Sequence, residues 1–289
     1  MKGYFDIHGD GGSRIGEQVE AKQARITGAL AGVRRRLAIG SGKGGVGKST
    51  LTMQLAAALR TDGASVAILD ADLNGPSQAR MGGLADALLI PGSDGLLMPR
   101  TAAGIGVVSM GYALPELRPL EFDSVARGDS YVWRATREFA LLGDLLACVA
   151  WGELDVLLID LPPGVERTAQ YAEFLGAETA IVLVSIPSEV ARGVVARSVA
   201  ALRGAPNRVL GYLENMSGYV CGGCRSVQPL FAQSDGFALG IPRLGAVPFD
   251  PALAAACDRG ELFGADETSA TWRAVRRAAD AIRTALEVP

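Results

Sequence analysis

Gly42-Lys43-Gly44-Gly45-Val46-Gly47-Lys48-Ser49 fits the pattern G-x-x-x-x-G-K-[ST] in full, and the chemistry of that spacing is the grip of nucleotide phosphates. The glycines let successive backbone N–H groups turn inward as an anion nest, which the positive end of a following helix strengthens. Lys48 is placed to reach the β- and γ-phosphates, and the Ser49 hydroxyl to coordinate magnesium. Lys43 is a second cation at the start of the loop. It reads either as a solvated loop charge or as a lysine reaching across a dimer interface to a partner's nucleotide. Two acidic sites accompany the loop: Asp70-Ala71-Asp72 after the apolar run 66–69, and Asp160 after the run 156–159. Asp160 suits a carboxylate that holds magnesium through water, and Asp72 one that orients the attacking water, with Asp70 in support. Each aspartate taken alone also reads as a helix N-cap. Finally, Cys221 and Cys224 are separated by two glycines. A C-x-x-C pair is a redox dithiol, half a zinc site or half an iron–sulfur site.

These residues need a scaffold, and the pattern supplies one. Apolar β-type runs at 37–39, 66–69, 105–110, 156–159, 180–185, 209–213 and 243–247 alternate with helical patterns such as 48–60, 133–149 and 189–202. Short, fully apolar strands spaced by helices predict an α/β fold, a doubly wound, mostly parallel sheet with helices on both faces. Carboxylates at the C-terminal ends of such strands face the crevice where these sheets bind ligands. Residues 1–32 are expected to form a mobile segment and a helix, and 33–289 one domain whose C-x-x-C loop spans about 215–235. The stretch 113–130 reads as a long loop. Trp272, Val275, Ala279, Ile282 and Leu286 recur at helical spacing, which predicts a packed C-terminal core helix.

Composition narrows the function classes. The 289 residues carry 28 basic and 31 acidic side chains, a net charge of −3 that gives no footprint for general nucleic-acid binding. Apolar residues at 49% and charged residues at 20% exclude a disordered chain. Four cysteines and one histidine exclude a disulfide scaffold at this length. The polar stretch 1–12 lacks the apolar core of a signal peptide, and the apolar stretch 139–151 is too short to span a bilayer and is interrupted by Asp144. The expectation is a cytoplasmic protein without stable membrane association.

The run Ser41–Thr50, with its early lysine, resembles the deviant Walker A motif of MinD/ParA/NifH-type ATPases. Further segments resemble the Mrp/ApbC family of iron–sulfur carrier P-loop ATPases. They include Gly75-Pro76-Ser77, Trp133-Arg134, Leu161-Pro162-Pro163-Gly164, Glu214-Asn215-Met216-Ser217, Cys221-Gly222-Gly223-Cys224 and Val247-Pro248-Phe249-Asp250-Pro251. Order and spacing agree from about residue 35 to 262. The resemblance implies a MinD/NifH-like fold and a homodimer that sandwiches two ATP molecules and bridges a 4Fe–4S cluster. It makes Gly42–Thr50 the nucleotide loop, with Lys43, Lys48 and Asp72 in the catalytic roles. It puts Asn215 at a strand end near the adenine, and the loop Pro248, Phe249 and Asp250 over the base. Apo iron–sulfur proteins or other metalloenzymes are the implied recipients. Val165-Glu166-Arg167 departs from the family, which has a second glycine and an acid after Pro-Pro-Gly. Ala135-Thr136 replaces the family's Gly-Pro, and the 113–130 loop is longer. These departures point to a specialised member.

The ligand count bears on the cysteines. Cys148 and Cys257 sit in apolar and Ala-rich helical patterns and are expected to be core residues, which leaves Cys221 and Cys224 two thiolates short of a four-thiolate site. A two-fold axis makes up the difference, since two copies supply four. Zinc fits the same ligands, and the resemblance favours 4Fe–4S. A metal-insertion ATPase, for nickel for example, is the nearest alternative. A MinD/ParA-type positioning ATPase is a further one, against which the C-x-x-C pair and the acidic charge speak.

Overall fold

The computed structural model describes residues 15–73, 75–109, 130–231, 239–261 and 268–288. The expected mobile segment 1–13, the 113–130 loop up to residue 129, and the side chains of Trp133 and Arg134 lie outside the described residues.

An eight-stranded sheet forms the centre. Its strands are β1 (Arg36–Ser41), β2 (Val66–Asp70), β5 (Gly106–Ser109), β6 (Val156–Asp160), β7 (Thr179–Ser185), β8 (Val209–Val220), β9 (Val227–Gln228) and β10 (Arg243–Phe249). The order is β10-β8-β7-β1-β6-β2-β5, parallel throughout, with β9 added antiparallel to the far end of β8. Strands β1, β2, β5, β6 and β7 are buried along nearly their whole length, as strands covered on both faces must be.

One face carries α2 (Lys48–Thr61) and α8 (Ala270–Glu287), with α7 (Pro251–Arg259) beside them. The other carries α1 (Ile15–Ala29), α4 (Ser130–Cys148), α5 (Val165–Leu175) and α6 (Glu189–Leu202). Trp272, Val275, Ala279 and Ile282 of α8 are buried against the sheet, as their spacing predicts. Helix α1 docks through Ile26, with Leu30 packing just beyond its end, and Lys22 meets Asp144 at 2.9 Å.

Two expectations need correction. Cys148 is exposed at the end of α4, because the helix presents its buried stripe through Leu142, Leu145 and Leu146; Cys257 is buried, as expected. Asn215 does not end its strand. β8 runs on to Val220, because β9 returns against Tyr219 and Val220 and prolongs the pairing. The strands β3 (Ile90–Pro91) and β4 (Leu96–Leu97), like β9, are two residues long and carry no periodicity that a sequence reading detects.

Candidate functional site

Strand β1 delivers the chain to Ser41, and α2 starts at Lys48, so residues 42–47 form the turn between sheet and helix. Gly47 caps the helix with φ +78°, and a Cβ there would lie 2.2 Å from Asn215 Nδ2. Only glycine satisfies both the left-handed backbone and that approach. The Asn215 amide uses the space to donate to the Val46 carbonyl at 2.9 Å. Its position therefore braces the loop from β8, one strand over from β7.

The register of the sheet assembles the acidic groups. Asp70 ends β2 and Asp160 ends β6, and the two are direct partners across the ladder. Both are fully buried. Lys48 Nζ meets Asp160 Oδ1 at 2.6 Å, and the same oxygen accepts from Thr52 Oγ1 at 3.3 Å. Lys48 Nζ also lies 3.3 Å from Ser49 Oγ. The second Asp160 oxygen accepts from Gln78 Nε2 at 2.8 Å. Asp160 is thus compensated by a cation and two neutral donors, which a buried carboxylate requires.

Among the described residues Asp70 has no cation partner. It accepts from the backbone N–H groups of Asp72, Ser77 and Gln78 at 3.2, 2.8 and 3.0 Å. Burial, and then the neighbouring Asp160 charge, push its carboxyl up to about 7, against the pull of those three bonds. Asp70 therefore organises the turn that carries Asp72 and leads into α3 (Gln78–Met81).

Asp72 is half-buried, and its charge is felt by Tyr171 of α5. Tyr171 is pushed up to about 12, first by burial and then by Glu138. Its hydroxyl lies 3.5 Å from the Ala71 carbonyl, and Arg167 sits 5.9 Å from its ring and pairs with buried Glu138 of α4. The unusual segment Val165-Glu166-Arg167 is thus the first turn of α5, tied by Arg167 to α4. Lys43 is half-buried and makes no ion pair with a described residue.

Gln78 and Glu138 lie outside every motif of the sequence. No spacing rule marks either, and each acquires its role from partners distant in the chain.

The stretch Pro248–Asp250 is expected to be a loop that closes over the base, and here the structure differs. Pro248 and Phe249 belong to β10, and Asp250 is the N-cap of α7, accepting from Ala252 N at 3.0 Å. Pro251 at the first helical position fixes that junction. The Phe249 ring stacks 6.4 Å from Tyr219 of β8.

Cys221 and Cys224 occupy the tip joining β8 to β9. Cys221 N donates to the Ser226 carbonyl, and Arg225 N to the Cys221 carbonyl, each at 2.9 Å. Cys224 is fully exposed, and hydrogen bonding from Ser226 and then Cys221 pulls its thiol down to about 7. Tyr219, Val227 and Leu230 form exposed apolar surface around the tip. Among the described residues no group of three or more metal-binding side chains occurs.

A strand–loop–helix anion nest with a lysine at the helix start and a carboxylate across the sheet defines a P-loop nucleotide-binding protein of the MinD/ParA type. The comparisons narrow this. The family described as NUBPL iron-transfer P-loop NTPase matches residues 32–283. The chain is 34% identical over 256 residues to the iron–sulfur cluster carrier protein of Saccharolobus solfataricus, covering 86% of this chain and 83% of that one. It is 38% identical over 261 residues to the cytosolic Fe-S cluster assembly factor NUBP2 of Gallus gallus, covering 86% and 89%. A nucleotide-binding protein of Archaeoglobus fulgidus, solved with ADP, superposes with a TM-score of 0.70 at 31% identity, over 86% of this chain and 95% of that one. The chain belongs to the family of NUBPL-type iron-transfer P-loop NTPases. Among the described residues no helix is long and apolar enough to cross a membrane.

Proposed function

We propose that the protein is an ATP-dependent carrier of 4Fe–4S clusters that works as a homodimer, with the cluster as cargo held by Cys221 and Cys224 of both copies. The observation that carries this reading is the pair of thiols, Cys221 half-buried and Cys224 exposed, on a hairpin at the end of β8, the strand whose Asn215 also braces the phosphate loop. One continuous strand joins the nucleotide site to the half-site for the cargo. Family membership and the ADP-bound archaeal relative support the nucleotide.

In this reading residues 42–50 wrap the phosphates, and Lys48 leaves Asp160 for the β- and γ-phosphates. Ser49 and, through water, Asp160 hold magnesium, which neutralises phosphate charge when bound. Asp72 orients the attacking water, and Lys43 reaches the partner's nucleotide. Asn215 and the Pro248–Asp250 junction lie on the base side. Movement of the turn after Asp72 and of the α5 start after Asp160 would pass nucleotide state to the dimer and so to the hairpin.

Anaerobic reconstitution with iron and sulfide tests the proposal. The expected product is a dimer with four irons per pair of chains and thiolate-to-iron absorption, both lost in Cys221→Ala. A colourless dimer that holds zinc, or a protein isolated without oxygen that holds nickel, overturns the cargo assignment.

A further inference from the structure

Gln78 opens α3, is fully buried, and has no part in the chemistry above. Its Nε2 donates to the Ser49 carbonyl at 2.9 Å and to Asp160 Oδ2 at 2.8 Å. Two acceptors at that end of the amide fix it as the nitrogen, so the other end is the oxygen. That Oε1 is buried and has no hydrogen-bond partner among the described residues. Buried amide oxygens are ordinarily satisfied, so an unpaired one beside two residues of a ligand site calls for an explanation. The same residue's backbone N–H holds Asp70 at 3.0 Å. Gln78 therefore touches the metal-side serine of the phosphate loop, the carboxylate that ends β6, and the turn that carries Asp72.

An unfilled acceptor next to Ser49 and Asp160 selects a ligand that donates. Phosphate oxygens at neutral pH only accept, whereas water polarised by a divalent cation is a strong donor. Magnesium keeps several such waters in protein sites. We propose that Gln78 is a positioning residue for hydrated magnesium. Its Oε1 accepts from a water of the metal shell, while its Nε2 keeps Asp160 and the Ser49 backbone in place. Because Gln78 opens α3, occupancy of the metal site is transmitted to the turn after Asp72. This inference rests on the nucleotide-binding reading above.

The test is the magnesium dependence of binding of a fluorescent ADP analogue to the full chain. Gln78→Met keeps the volume and removes the amide. By losing the Nε2 bonds to Ser49 and Asp160 it is expected to weaken affinity in EDTA as well, so the effect is read as the magnesium dependence relative to each protein's own EDTA baseline. It should raise the half-saturating magnesium concentration about tenfold, the effect of one lost hydrogen bond in a charged network. Gln78→Glu places a second carboxylate beside Asp160 and should shift the half-saturating magnesium concentration downward, since added ligand charge tightens divalent binding. A residue that merely supports the fold would move both variants in the same direction. Equal magnesium dependence in wild type and Gln78→Met, or a common direction in both variants, overturns the inference. Should thermal unfolding show that Gln78→Met is not folded, Gln78→Glu decides alone, and any outcome except a downward shift refutes it. Wild-type protein that binds no nucleotide, with or without magnesium, instead refutes the reading on which the inference stands.

Discussion

The phosphate loop, which follows β1 and is braced by Asn215 of β8, and the cysteine hairpin at the end of β8 are built on opposite principles. Around the loop, the buried charges of Lys48 and Asp160 answer one another within the chain, and Asp70 is held by three backbone N–H groups. At the hairpin, Cys221 is half-buried and Cys224 exposed on a tip, beside the exposed apolar side chains Tyr219, Val227 and Leu230. The first region is therefore part of what holds the fold together, and the second, in the proposed reading, is a half-site that a partner copy completes. Substitutions should separate the two sharply: loop variants should damage both stability and binding, while hairpin variants should damage binding alone.

The largest expected effect is at the hairpin. Cys224→Ala should abolish iron loading, read by iron and sulfide content after anaerobic reconstitution. Its unfolding free energy should stay within about 0.5 kcal/mol of wild type, as for other exposed substitutions. A cluster-loaded Cys224→Ala dimer would break the comparison. Next comes Lys48→Met. Removing the cation leaves Asp160 buried without a charge partner, a change of about 3–5 kcal/mol in denaturant unfolding, and nucleotide binding should be lost with it. Gly47→Ala is smaller. A left-handed alanine costs about 1–2 kcal/mol, and its Cβ must displace Asn215 from the loop. Asn215→Ala, which makes room for that Cβ, should restore part of the nucleotide affinity of Gly47→Ala. Isothermal titration of the single and double variants measures the coupling.

Much of this contrast is legible in the sequence, and the limits have physical causes. The sheet strands and the loop are readable because buried parallel strands are nearly all apolar and because the nest demands glycine at fixed positions. Asp70 and Asp160 are readable as strand-end carboxylates. That they are ladder partners is a matter of register, which only the folded sheet sets. Gln78 lies outside any motif, since its role comes from Ser49 and Asp160, 29 and 82 residues away in the chain. The expected loop at Pro248–Asp250 proved to be a strand end and a helix cap, because Asp250 caps α7 through Ala252 N and Pro251 takes its first helical position. Cys148 was misread because Leu142, Leu145 and Leu146, not its own position, carry the apolar stripe of α4.

The smallest prediction sharpens the comparison through two groups that titrate near neutrality for opposite reasons. Cys224 is pulled down to about 7 by hydrogen bonds at an exposed tip, and Asp70 is pushed up to about 7 by burial beside Asp160. The two should therefore report through different observables. Thiolate is the reactive form, so alkylation of Cys224 should reach half its maximal rate near pH 7, well below buried Cys257, which is pushed up to about 11. For Asp70 the linkage acts on stability. Its folded pKa lies above the unfolded value of 3.8. The folded state thus binds the proton more tightly, and the contribution is fully present below the unfolded pKa and is lost as pH rises through about 7. Nucleotide-free protein should accordingly gain stability from this group as the pH is lowered from 8 toward 5. In Asp70→Asn, which cannot ionise, that slope should flatten even though the variant loses some of its backbone bonds. Denaturant unfolding across the pH range, taken as the difference between wild type and variant, isolates the group. Parallel curves would show that Asp70 is charged throughout, with its three backbone N–H groups outweighing the burial that opposes them.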